Sequence, residues 1–172
     1  MMIKKYFYRL LLVSVCIGLI NACGSGSSDE EASATDPDTL LVRSEVSKAD
    51  LTVGDSFDIE ISIDNLPSSE GGGISLQFNP AVIEIDNVDL DSSWDFARRN
   101  GAIDNTGGQV SDILFASFSG NSGSVGIATI SATAIGSGNS QIKIVESTVN
   151  PFSAGGGRIA VQFEANSIQV DL

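Results

Sequence analysis

From Thr39 onward, apolar and polar residues alternate along most of the chain with a period of two, the pattern of strands that bury one face. Phe57, Ile59, Ile61 and Ile63 fall on one side of such a ladder, and Asp58, Glu60, Ser62 and Asp64 on the other. Ile74, Leu76 and Phe78 repeat the pattern against Ser75 and Gln77, until Asn79-Pro80 interrupts it, because proline has no N–H to donate to a ladder. The same reading gives strands over Leu40–Val46, Val82–Val88, Gln109–Phe118, Val125–Ile135, Gln141–Val149, Arg158–Phe163 and Ser167–Leu172, about nine in all. Between them stand turn formers: Asn65 with Pro67, Gly71–Gly73, Gly107-Gly108, Gly120–Gly123, Gly136–Asn139 and Gly155–Gly157. Short strands at close spacing with glycine-rich turns predict an all-β antiparallel sandwich or barrel. The one place for a helix is Asp91–Asn100, where Ser92 or Ser93 could cap Trp94–Arg99 and Asn100-Gly101 could end it.

The first 38 residues follow a different pattern. Lys4, Lys5 and Arg9 precede an apolar run of 11 residues, Leu10–Ile20, and Leu19-Ile20-Asn21-Ala22-Cys23 has the form of a lipobox. That run is too short for a membrane-spanning helix, which needs roughly 20 residues, and matches the core of a signal peptide. The expected organisation is a lipoprotein signal over 1–22, an acylated Cys23, a flexible acidic tether over 23–38 and one folded domain over 39–172. Several acyl chains on one cysteine would meet the requirement of stable anchoring for more than one membrane signal. A tether of this composition would hold the domain about 20 Å from the lipid surface. Gly24 and Ser25 place no acid beside the cysteine, which by resemblance to enterobacterial lipoproteins favours the outer membrane.

Charge and composition narrow the chemistry. Three of the nine Lys and Arg precede Cys23, so six cations face 22 acids after cleavage, a net charge of −16. Such a surface repels nucleic acid, which is therefore not an expected partner. With Cys16 removed and Cys23 acylated, no thiol remains for a disulfide, a catalytic nucleophile or a metal site. The chain has no histidine, which removes the usual general base of hydrolytic triads and the commonest transition-metal ligand. No Gly-x-Ser-x-Gly elbow and no phosphate-loop spacing occurs. A two-carboxylate glycosidase would need both acids in one cleft, whereas these acids fall mainly on outer strand faces and in turns. The chain is not expected to be an enzyme.

Four segments in order resemble a cohesin domain, the module that receives dockerins in cellulosomes and in related non-cellulosomal proteins. Leu51–Phe57 (Leu-Thr-Val-Gly-Asp-Ser-Phe) resembles the family's entry into its long second strand. Gly73–Glu84, with Phe78-Asn79-Pro80, resembles its "f.l.yDP.vLe" signature, while Val125–Ile130 and Ile142–Glu146 are similar to two later strands. The resemblance covers about Leu40–Leu172 and implies a nine-stranded jelly-roll β-sandwich whose flat strand face binds a calcium-loaded dockerin, without catalysis. The chain departs from the family where dockerin-binding cohesins carry Asn and Asp before the third strand. Gly71 and Gly73 stand there, and Phe118-Ser119 stands where a later acid is expected.

The residues singled out for a partner are Ser75, Gln77, Phe118 and Asn121. Strand alternation turns the first two outward, and family analogy puts the others at the end of the same sheet. Phe118, between Ser117 and Ser119, is the aromatic most readily placed on a partner surface, with burial as the competing assignment. The alternative to a protein partner is a polysaccharide, since carbohydrate-binding modules share the fold. Trp94 is the one tryptophan that could stack on a sugar, and a core or loop anchor is the plainer role for it. No cofactor is expected. A structural calcium is an option at Asp86, Asp89 and Asp91 or at Asp104-Asn105, with solvated loop acids as the simpler assignment.

Overall fold

The structure, a computed structural model, describes residues 39–172. The signal segment 1–22, Cys23 and the tether to Asp38 lie outside the described residues. Eleven strands follow one another: β1 Leu41–Val46, β2 Leu51–Thr52, β3 Ser56–Gln77, β4 Ile83–Leu90, β5 Phe96–Asp104, β6 Gln109–Ala134, β7 Gly138–Glu146, β8 Ser153–Ala154, β9 Gly157–Arg158, β10 Gln162–Phe163 and β11 Asn166–Asp171.

β3 and β6 organise the molecule. They pair antiparallel over nearly their whole lengths, from Ser56↔Thr133 to Gln77↔Gln109, with register shifts between Ile61 and Gly71. Bulges of this kind bend and twist a ladder, and here they carry one pair of strands from one layer of a sandwich to the other. Asn65 at φ 58°, Gly120 at 74° and Gly123 at 81° mark the corner. In the back layer the first half of β3 pairs with β1 and the second half of β6 with β4, while β10 joins β1 in parallel. In the front layer the order is β5, the first half of β6, the second half of β3, then β7. The start of β7 continues into β11 and β2.

The alternation read from the sequence determines what lies between the layers. Phe57, Ile59, Ile61 and Ile63 are buried from the back, and Ile74, Leu76, Ile113, Phe115 and Ile144 from the front. Trp94 and Phe152, both fully buried, fill one end, with Phe115 between them at ring-centroid distances of 4.6 and 5.6 Å. Trp94 Nε1–H donates to the Gly126 carbonyl at 2.7 Å, so its polar edge is satisfied in the core.

Two expectations need correction. The segment 91–100 forms no helix: it is a bend followed by the start of β5. Asp91 Oδ1 accepts from the Ser93 N–H and hydroxyl at 2.8 and 2.6 Å, an Asx turn rather than a helix cap. Gly101, at φ 87°, lies within the strand instead of ending a helix. The run Gly71–Gly73 is likewise not a turn but buried strand in β3. By contrast, Gly155 and Gly156, at φ 59° and 75°, make the turn expected of them between β8 and β9.

Candidate functional site

The outer surface of the front layer is formed by β5, β6, β3 and β7, and strand register specifies which side chains line it. Leu76 and Ile144 are opposite one another and point inward, so their neighbours Ser75, Gln77, Lys143 and Val145 point outward. On β6, Ile113 and Phe115 are buried, which turns Leu114 and Ala116 outward. Their partners on β5 are Arg99, opposite Leu114, and Phe96, opposite Ala116.

The glycines set the relief of this face. A Cβ on Gly73 would come within 2.6 Å of Leu114 Cδ2, and one on Gly72 within 2.7 Å of the Phe152 ring beneath the sheet. The space at Gly73 is already taken by Leu114, the Asn150 carbonyl and Ser147, so Leu114 covers this part of β3.

An aromatic pair stands at one end. Phe118 is 77% exposed and Phe96 48%, with their rings in tilted contact at 4.1 Å. Asp95 Oδ1 accepts from the Phe118 N–H at 3.2 Å and fixes the backbone that presents this ring. Removing two touching aromatics from water is worth several kcal/mol in principle, by burial of about 25 cal/mol per Å²; leaving both exposed marks a contact surface. At the opposite end an open groove is lined by Gln77, Phe78, Asn79, Asn139, Gln141 and Lys143.

The four residues singled out from the sequence fall on this layer or at its end, in different states. Gln77 is exposed, facing Lys143 on one side and Gln109 on the other. Phe118 is the most exposed of the two rings in the pair. Ser75 is half-buried, and its hydroxyl accepts from the Asp112 N–H at 3.2 Å. Asp112, at φ 56° in a bulge, in turn accepts from the Ser147 hydroxyl at 2.8 Å. Asn121 donates to the Ser93 carbonyl at 2.8 Å and braces the corner loop against the bend before β5. Two of the four are therefore engaged within the domain.

Phe96, Arg99, Leu114 and Lys143 share the face and were not singled out. The sequence pattern predicts a helix over Phe96 and Arg99, whereas in β5 Arg99 faces outward and Asn100 donates inward to the Val88 carbonyl at 2.6 Å. Trp94, the residue the carbohydrate reading relied on, is wholly buried. Among the described residues no group of three or more acids is arranged to hold a metal ion. Asp86 accepts from Thr133 at 2.8 Å, Asp89 from Asn87 at 2.7 Å, and Asp91 from Ser93, so each acid of the first calcium option is partnered locally. Asp104 likewise accepts from the Thr106 and Gly107 N–H groups.

Comparison with solved structures decides the fold. A non-cellulosomal cohesin from the archaeon Archaeoglobus fulgidus is similar over 78% of this chain and 92% of its own, with a TM-score of 0.64 and 12% identity. A chain of a type I cohesin–dockerin complex from Clostridium thermocellum is similar over 77% and 94%, with a TM-score of 0.65 and 17% identity. The seventh type I cohesin of a Pseudobacteroides cellulosolvens protein matches over 77% and 92%, at 0.59 and 18% identity. The chain has the cohesin fold. No protein-family model matches the sequence, and no curated protein does either. The cohesin fold is thus carried here by the pattern of buried positions and turns, at an identity too low to transfer any binding residue.

Proposed function

We propose that this chain is a non-catalytic receptor, lipid-anchored through Cys23 at the outer membrane, whose front sheet docks a protein partner of the dockerin type. The observation that carries this reading is the exposed Phe96–Phe118 pair on the front sheet of a cohesin fold. A monomer that leaves two touching rings in water has a use for them, since such contiguous apolar surface favours association. Several of the similar structures are cohesin–dockerin complexes by their own descriptions, which supports a protein as the ligand.

Side chains unlike those of dockerin-binding cohesins do the work on this face. Gly71 and Gly73 are buried beneath neighbouring groups and offer no hydrogen bond, so Phe96, Phe118 and Leu114 supply the contact. The test is a binding assay of the protein against the dockerin-bearing proteins of its source, with and without calcium chelation. Phe96→Ala with Phe118→Ala should weaken binding at least tenfold, as expected for central aromatic anchors, and leave the unfolding midpoint nearly unchanged because both rings are exposed. Binding that survives the double change would move the interface elsewhere. Anchoring is tested separately: Cys23→Ser should shift the protein from the membrane to the soluble fraction. A glycan array that gives signal would favour the polysaccharide reading, for which buried Trp94 offers no platform.

A further inference from the structure

We infer that the end of the front sheet away from the Phe96–Phe118 pair is a second binding site, an amide-lined groove that takes an uncharged polysaccharide chain. The observation is where the free amides stand. Among the described residues, every asparagine side chain except that of Asn139 is engaged within the fold. Asn100 and Asn105 bond the carbonyls of β4, Asn150 the Gly72 carbonyl and Asn166 the Ser44 carbonyl, and the rest make similar contacts. Of the glutamines, Gln169 alone is engaged, with the Val170 carbonyl. The free amides are therefore Asn139, Gln77, Gln109, Gln141 and Gln162. Only Gln162 lies apart, on β10; the other four are exposed together on the front layer.

Strand register sets them side by side. Gln109 is opposite Gln77, and Gln77 is opposite Lys143. Along β7, Lys143, Gln141 and Asn139 occupy alternate outward positions, because Ser140, Ile142 and Ile144 between and beside them are buried. Neighbouring strands stand about 4.8 Å apart and alternate residues of one strand about 6.7 Å apart, so the amides form a close lattice rather than scattered surface groups. Two open grooves cross it and share Gln141 and Lys143. One, of about 350 Å³, runs past Phe78, Asn79 and Asn139. The other, of about 500 Å³, opens beyond the last β7–β11 pair, Ile142↔Asn166, and is lined further by Ile144, Phe163, Glu164 and Ala165.

The lining specifies the ligand. A carboxamide presents an acceptor and two donors in one plane without charge, the complement of neighbouring hydroxyls on a sugar ring, each of which both donates and accepts. Lys143 and Glu164 stand in the same groove with opposite charge, so the lining favours neither an anionic nor a cationic chain. Apolar surface is scarce there. Phe78 and Ile144 are 7% and 3% exposed, which leaves half-buried Phe163 as the one ring. One ring suffices to meet the apolar face of a sugar. It is too little for the cluster of buried aromatic anchors that holds a protein partner.

The test is native electrophoresis of the protein through gels containing a soluble neutral glucan, mannan, xylan or galactan. At least one polymer should retard it. Oligosaccharides of that polymer, titrated into the 15N-labelled protein, should move the side-chain NH2 signals of Gln77, Asn139 and Gln141, with an affinity indifferent to salt because no ion pair carries it. Gln77→Ala with Gln141→Ala should weaken binding at least tenfold without changing the unfolding midpoint, since both side chains are exposed and bond nothing in the domain. Phe96→Ala with Phe118→Ala should leave glycan binding intact, which separates this site from the protein-docking pair. Retardation by none of the four polymers, binding that falls as salt is raised, or binding that survives loss of the two glutamines would overturn the assignment. Glycan binding lost with Phe96 and Phe118 would move the sugar to the aromatic end and overturn it too.

Discussion

Gly72 and Gly73 are glycines for want of room. Neither has a positive φ, yet a Cβ on Gly72 would fall 2.7 Å from Phe152 Cδ1, and Phe152 is fully buried. Gly72→Ala is therefore expected to destabilise the domain by about 1–3 kcal/mol, the usual cost of overpacking a core; a lower urea midpoint at constant slope would show it. A run of glycines read along a sequence signals a turn, because turns are where positive φ is most often needed. Here only Gly71 has that conformation, at φ 154°; Gly72 is selected by a ring that arrives from residue 152 and Gly73 by Leu114, Ser147 and the Asn150 carbonyl, information that no local window contains. Asp55 shows the opposite case, an effect that is local. Its hydrogen bond from Lys48 Nζ at 2.7 Å, aided by the Thr52 N–H and hydroxyl, lowers its pKa from 3.8 to about 2. The folded value lies below the unfolded one, so the stabilisation is full above pH 3.8 and is lost as the pH falls toward 2. A carboxyl titration followed by NMR should place its midpoint near 2, and Lys48→Met should raise it.

At the scale of elements, the seam between β4 and β5 explains why a segment with helical features becomes a strand. β4 is the edge of the back layer, and its outward carbonyls have no strand to receive them. Side chains fill the gap. Asn100 donates to the Val88 carbonyl at 2.6 Å, Asn105 to the Ile85 carbonyl at 3.0 Å, and Arg98 to the Leu90 carbonyl. Asn105 also accepts from the Ile85 N–H at 2.9 Å, so a single amide closes both bonds of a missing ladder step. These contacts blunt an edge that would otherwise invite another chain and hold β5, with Phe96 and Arg99, in the front layer. Asn105→Ala should cost about 1–3 kcal/mol, since it leaves a part-buried N–H and carbonyl without partners. Chemical denaturation measures the loss, and faster hydrogen exchange at Ile85 locates it. The sequence pattern Ser-Ser-Trp-Asp-Phe-Ala-Arg-Arg-Asn-Gly does carry a cap, helix formers and a stop. A local Asx turn at Asp91 starts the departure, and tertiary contacts complete it: Trp94 is drawn into the core, and the arginine and asparagines are used across the seam. Strands with one clean buried face, such as Phe57–Ile63, needed no such context and were legible directly.

At the scale of the whole molecule, the outer face of the back layer carries a row of acids that was only half visible in the chain. Alternation showed that Asp58 and Glu60 face outward, but the register that lines up Glu45, Glu60 and Asp89 across β1, β3, β6 and β4 depends on bulges at Ile61/Ser62 and Ile85/Asn87. Likewise the candidate face was legible where alternation is regular, at Ser75 and Gln77, and illegible where a misassigned helix hid Phe96 and Arg99. Like charges directly opposite one another destabilise a sheet, and Arg43, with its guanidinium 3.1 Å from Asp64 and 3.8 Å from Glu45, offsets this at one end of the row only. The back layer thus gives up stability to remain acidic, and faces of like charge repel one another. Glu60→Lys places a cation between Glu45 and, across Thr129, Asp89, and is expected to stabilise the domain by about 0.5–1 kcal/mol. Urea unfolding at low salt should show the gain, and the gain should shrink as salt is added, because screening weakens both the original repulsion and the new attraction. A destabilised or salt-indifferent variant would mean that the acids of the back layer are held apart by solvent and that their repulsion carries no energetic weight in the folded chain.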